Sequence, residues 1–157
     1  MPREIVGDLA DSATEALNMF VRLAETCPAD VWEEKAGRWS VWQHVAHVAS
    51  SASLFVPGPA LPMPEGLTAE ICQLKVVAGP PIGQRILLGY LKAAVAKATA
   101  FLGTLDDQDL PRPNEACRAI GLDWTVTKTL SVLYAHALYH LGHADAVLRA
   151  RDHKGIF

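Results

Sequence analysis

Ile5, Leu9, Ala13, Ala16, Leu17, Phe20, Leu23 and Ala24 recur at intervals of three and four, while Asp8, Asp11, Glu15 and Arg22 fall on the opposite side. This pattern predicts a long amphipathic helix. It should stop near Thr26-Cys27-Pro28, because a proline disfavours helical geometry in the residue before it. A second helix is predicted from Ser40, where a serine stands three residues before Gln43 in the capping-box arrangement. It runs through His44, His47, Ser50, Ser51 and Leu54 to the breaker cluster Pro57-Gly58-Pro59.

The proline-rich connection that follows leaves room for a short helix over 68–77. A third helix is expected to start near Pro80-Pro81 and to bury Ile86, Leu87, Tyr90, Leu91, Ala94, Val95, Ala98 and Leu102, with Gly103 as its stop. Residues 106–123 read as a long loop in which Ala119-Ile120-Gly121-Leu122-Asp123 has room for a small turn or hairpin. The fourth helix follows over 125–149 or 125–151, with Asp123 as its expected cap. With no alternating strand pattern and no internal repeat, the chain reads as one all-α four-helix-bundle domain over 1–157, with long connections between helices two and three and between three and four.

Composition narrows the function classes. A net charge of -3 with a fifth of the residues charged gives no electrostatic footprint for nucleic acid or an anionic membrane. No segment approaches the roughly 20 apolar residues of a membrane span, and the N-terminus lacks a secretory signal, so a cytoplasmic protein is expected. The three cysteines, Cys27, Cys72 and Cys117, are odd in number and lack C-x-x-C spacing. They are read as reduced structural thiols rather than a disulfide framework or a zinc site. There is no phosphate-cradling glycine loop, no G-x-S-x-G elbow and no dinucleotide fingerprint.

The histidines are the informative residues. His44 and His47 lie on helix two, and His136, His140 and His143 on helix four. An i, i+4 pair such as His136 and His140 stands about 40° apart around a helix and roughly 6 Å apart along it, so both rings can reach one ion. His47 from a neighbouring helix can supply a third ligand, and three imidazoles leave a coordination position open, as at catalytic zinc. His44 and His143 are candidates for support of the site or for additional ligands, and Ser50 and Ser51 for lining its cavity. Asp123 and Asp145 are the nearest carboxylates in sequence, Asp145 being placed to pair with Arg149. His153 sits in the charged C-terminal tail, and Trp32, Trp39, Trp42 and Trp124 read as core and rim.

The stretch Trp39-Ser40-Val41-Trp42-Gln43-His44-Val45-Ala46-His47 resembles the second-helix signature of the DinB-like (YfiT-like) metalloenzymes. There a tryptophan and a serine or threonine precede the ligand histidine by eight and seven residues. His136-Ala-Leu-Tyr-His140-Leu-Gly142-His143 is similar to the fourth-helix pattern of the same family. The resemblance implies an up-down-down-up bundle, His47, His136 and His140 as metal ligands, and a homodimer. It also implies, in some members, transfer or isomerisation reactions that use a low-molecular-weight thiol such as mycothiol, bacillithiol or glutathione as co-substrate. His44 stands at a usually apolar position of that pattern, and His143 where glutamine is common.

The expected cofactor is a divalent metal ion, zinc or nickel first, with iron or manganese as alternatives. The expected activity is thiol-using transfer or isomerisation of a small molecule. Metal-dependent hydrolysis, non-catalytic sequestration of a small apolar molecule, and a purely structural metal are the competing readings.

Overall fold

A computed structural model describes residues 2–77 and 80–157. In chain order its elements are α1 (Glu4–Thr26), α2 (Ala29–Trp32), β1 (Lys35–Ala36), β2 (Trp39–Ser40), α3 (Val41–Leu54), α4 (Ala69–Cys72), α5 (Gln84–Leu102), α6 (Glu115–Ala119) and α7 (Val126–Ala150). The protein is all-α apart from the two-residue strands, and α1, α3, α5 and α7 are its long helices.

The buried stripe of α1 is Val6, Ala10, Ala13, Leu17, Phe20 and Ala24, a series that holds the 3.6-residue period. Ile5 lies about 100° off that series and is 61% exposed, so the stripe starts one residue later than expected. The helix ends before Pro28, which opens α2 in an extended conformation. At the start of α3 the Ser40 backbone N–H donates to Gln43 Oε1 at 3.4 Å, completing the predicted capping box. The same Gln43 donates through Nε2 to the Val76 carbonyl at 3.1 Å, tying α3 to the connection that follows α4.

The expected helix over 68–77 is only Ala69–Cys72, because Leu74 takes a φ of 54° and turns the chain out of helical geometry. The third long helix begins at Gln84 rather than at the prolines. The Ile82 carbonyl accepts from Trp32 Nε1 at 2.9 Å, and Gln84 Nε2 donates to the carbonyls of Ala24 at 2.8 Å and Cys27 at 3.0 Å. Ile86 is on the outer face of α5, 56% exposed, and the remaining expected residues are buried.

The stretch 106–123 contains α6, capped by Asn114, whose Oδ1 accepts from the N–H groups of Ala116 and Cys117. A turn at Gly121, with φ of 83°, and a single bridge between Pro113 and Thr125 stand where a hairpin had room to form. Thr125, not Asp123, caps α7, its Oγ1 accepting from the Lys128 N–H at 3.2 Å. A threonine at that place meets the orphan amides of the first turn directly, which Asp123, two residues earlier, does not.

α1 packs on α5 and α7, and α3 packs on the same two helices. Val6 N–H donates to Asp107 Oδ1 at 2.8 Å, just beyond the end of α5, while Gln84 at the start of α5 meets the end of α1, so these helices run antiparallel. One hydrophobic cluster takes residues from all four long helices, including Phe20, Val45, Leu91 and Leu141. Trp32 and Trp42 belong to it; Trp124 packs edge-on against Phe55 at the rim, and Arg38 lies over the Trp39 ring.

The strands pair antiparallel, Lys35 with Ser40 and Ala36 with Trp39, around a two-residue turn that Gly37 opens at φ of 75°. The hairpin packs against α7 and buries Ala36. The three cysteines are free and buried, and no helix among the described residues is long and apolar enough to cross a membrane.

Candidate metal centre

Four histidines interlock across the α3–α7 contact. His44 of α3 bonds His140 of α7, and His47, nearly a turn further along α3, bonds His136, a turn further back on α7. The two helices therefore run antiparallel, and the i, i+3 and i, i+4 spacings bring the rings to one level.

His47 Nε2 and His136 Nε2 are 2.8 Å apart, and His136 Nε2 and His140 Nε2 are 3.2 Å apart. The candidate ligand atoms of the three residues all lie within 4.8 Å of one another. Donors around a tetrahedral ion with bonds of about 2.0–2.1 Å stand roughly 3.3 Å apart, so the two short edges are close to what one cation requires.

The tautomers follow from the backbone. His47 Nδ1 faces the Cys72 carbonyl at 2.5 Å, and a carbonyl oxygen only accepts, so the proton is on Nδ1 and Nε2 is bare. His44 Nε2 faces the Ala36 carbonyl at 2.8 Å and carries its proton for the same reason. Its Nδ1 then accepts from His140 Nδ1–H at 2.8 Å, which leaves His140 Nε2 bare as well. Two lone pairs are thus aimed at His136 Nε2, whose single proton can answer only one of them well. A divalent cation would answer all three nitrogens at once, and the three histidines form a group that could hold one.

Electrostatics agree with this. Burial lowers the pKa of His47, and that of His136 to about 4, with the His47 charge adding to the effect there. Burial also lowers His140, the neighbouring imidazoles pushing it further, and lowers His44 to about 4. The rings are neutral near pH 7, so a cation meets no imidazolium charge, and only His136 must carry its one proton on Nδ1 rather than on Nε2 for all three Nε2 lone pairs to be free.

The other sequence candidates are placed as follows. His143 is half-buried and stacks on His44, with ring centroids 5.3 Å apart and planes at 11°, outside the three-nitrogen cluster. Ser50 lines a cavity of about 150 Å³ together with Leu54, Leu61, Met63, Cys72 and Tyr90, whereas Ser51 is buried on α3 and is not part of that lining. The Asp123 side chain is 95% exposed and stands 3.8 Å from Arg118. Asp145 pairs with Arg149 at 2.6 Å, and His153 lies 3.6 Å from Asp30.

Three contributors had no recognisable signal in the sequence. The carbonyls of Ala36 and Cys72 orient the rings, and a backbone oxygen is common to every residue. Tyr139 meets His140 and His143 edge-on at 5.1 and 4.9 Å, a contact that its place next to His140 in the sequence does not predict.

No curated protein and no solved structure matches this chain. From residue 13 to residue 144, a stretch that begins in α1 and runs past all three clustered histidines, the chain matches the model of the DinB superfamily, and it belongs to that family.

Proposed function

We propose that this chain is a divalent-metal enzyme of the thiol-using transferase or isomerase type, with His47, His136 and His140 as the ligands. The observation behind this reading is the convergence of three Nε2 atoms, two of them held bare by hydrogen bonds on the far side of their rings. Borderline imidazole donors suit zinc or nickel first, then iron or manganese. A cation held by three neutral ligands supplies Lewis acidity and makes a thiol or water that meets it more acidic.

The chain's own residues would do the rest. Cys72 and Ala36 keep the rings oriented, directly for His47 and through His44 for His140. The cavity that shares Cys72 with this support is walled by Leu54, Leu61 and Met63 and has Ser50 and Tyr90 as polar groups. It suits the apolar part of a small substrate. In this reading the protein works in the cytoplasm, supported by three free buried thiols, and as a homodimer, supported by exposed Tyr134 and Phe157 in the groove between α1 and α7.

The test is turnover. Zinc- or nickel-loaded protein is offered mycothiol, bacillithiol or glutathione with a panel of small electrophiles, beside the His47→Ala variant. Formation of a thiol conjugate or an isomerised product that the variant does not form supports the proposal. Absence of turnover with every thiol, the small molecules being recovered unchanged, sinks it and points to a binding role.

A further inference from the structure

His44 makes two hydrogen bonds, one to a backbone carbonyl and one to a metal-ligand candidate, and its ring is 2% exposed. A buried neutral imidazole holds one proton, and the Ala36 carbonyl claims it at Nε2. The proton in the 2.8 Å contact between the two Nδ1 atoms must then belong to His140. An imidazole protonated at Nδ1 offers only Nε2 as a lone pair, and His140 Nε2 is the atom that lies 3.2 Å from His136 Nε2.

We propose that His44 is a positioning residue: it locks His140 in the Nδ1–H tautomer and thereby sets Nε2 as the atom presented to the cation, with the β1–β2 hairpin as its outer anchor. This rests on reading the three histidines as a metal centre. An apolar side chain at position 44 leaves His140 free to carry its proton on Nε2, where it blocks the ligand lone pair. The choice of a histidine as acceptor also matters chemically. A carboxylate behind a ligand histidine adds negative charge and raises its basicity. A neutral ring orients His140 with a smaller rise in basicity and leaves more of the cation's charge for the substrate. His143 stacked on His44 and Tyr139 edge-on to His140 hold the pair of rings in place.

The test reads the tautomer directly. Long-range proton–nitrogen correlation spectra of 15N-labelled, chelator-treated protein at neutral pH distinguish a protonated from a bare ring nitrogen. The comparison is between the wild type, His44→Phe and His44→Gln, whose amide can accept from His140 and donate toward Ala36. Zinc affinity is measured on the same samples by chelator competition.

Wild-type His140 is expected as a single Nδ1–H tautomer. In His44→Phe it becomes mixed or Nε2–H, with zinc affinity lower by about 10- to 100-fold, and His44→Gln recovers both. A wild-type His140 protonated at Nε2 overturns the proposal, a result available even if the phenylalanine variant does not fold. So does an Nδ1–H tautomer that persists unchanged in His44→Phe. A wild type that shows the locked tautomer yet binds no zinc or nickel supports the lock and removes the metal-centre reading instead.

Discussion

His47 donates its Nδ1 proton to the Cys72 carbonyl oxygen at 2.5 Å, so one ring both ties α3 to the end of α4 and presents a bare Nε2 to its neighbours. The two roles separate by substitution. An asparagine amide nitrogen falls near the place of Nδ1 and keeps the bond to Cys72, whereas alanine leaves that carbonyl unpaired at a cost of about 1–3 kcal/mol. His47→Asn is therefore expected to lose metal while the metal-free protein keeps its melting temperature. His47→Ala should lose both. Elemental analysis and calorimetry of untagged protein decide this, and equal melting temperatures for the two metal-free variants would contradict the structural role of the His47–Cys72 bond.

Metal binding should stabilise the fold, because the three ligands converge only when α3 and α7 are packed. A ligand at about 1,000 times its dissociation constant adds roughly 4 kcal/mol. At about 2–4 °C per kcal/mol for a chain of this size, that is a rise of roughly 8–16 °C. Chelator-treated protein titrated with zinc should show this shift in a thermal melt, and His140→Ala should show almost none. An unchanged melting curve at saturating zinc and nickel would argue against a site that spans the two helices.

Much of the bundle was legible in the sequence because its cues are local. The 3.6-residue stripe of α1, the Ser40 and Gln43 capping box and Pro28 act within a turn or two of themselves. The i, i+4 spacing of His136 and His140 is likewise a property of one helix. What could not be read depends on partners distant in sequence or on the backbone. The β1–β2 strands are two residues each, too short for an alternating pattern, and Gly37-Arg38 is a weak turn signal. Asn114 looked like a loop residue; it is buried, donating to Phe55 O at 2.8 Å and Thr129 Oγ1 at 2.9 Å. Likewise His44 was visible as an unusual residue, but its bond to Ala36 exists only once the hairpin has formed.

Asp145 gives a pH dependence of definite sign. Burial raises its pKa, but hydrogen bonds from Arg149 and from the backbone N–H groups of Ile156 and Phe157 outweigh burial and hold it below the ordinary carboxylate value. A carboxylate with a depressed folded-state pKa contributes stability above its unfolded value, and that contribution is lost as pH falls through the folded value. The Arg149 side chain is 54% exposed, so solvent screens the charge attraction, and the hydrogen bonds from Arg149 and Ile156 carry the effect between them. Asp145→Asn should cost about 1–2 kcal/mol at pH 7. The gap between variant and wild type should narrow below about pH 4, as the wild-type carboxylate takes up its proton. Urea unfolding at both pH values measures it, and a gap that widens on acidification would show that the carboxylate is not the stabilised form.

Gly37 opens the hairpin turn at φ of 75°, a conformation that L side chains rarely adopt. A Cβ added there meets nothing nearer than His143 Nδ1 at 3.6 Å, which is ordinary van der Waals contact. Any penalty must therefore come from the backbone, about 1–2 kcal/mol for a non-glycine residue in left-handed geometry. Gly37→Ala is expected to lower the melting temperature by roughly 2–8 °C without changing the helical signal. Because Ala36 precedes this turn and its carbonyl holds His44, the strain should also show locally, as faster hydrogen exchange of the backbone amides paired across β1 and β2. An alanine variant as stable as the wild type, with unchanged exchange in the hairpin, would mean that the turn relaxes to accept a side chain, and that glycine is not what sets the position of the Ala36 carbonyl.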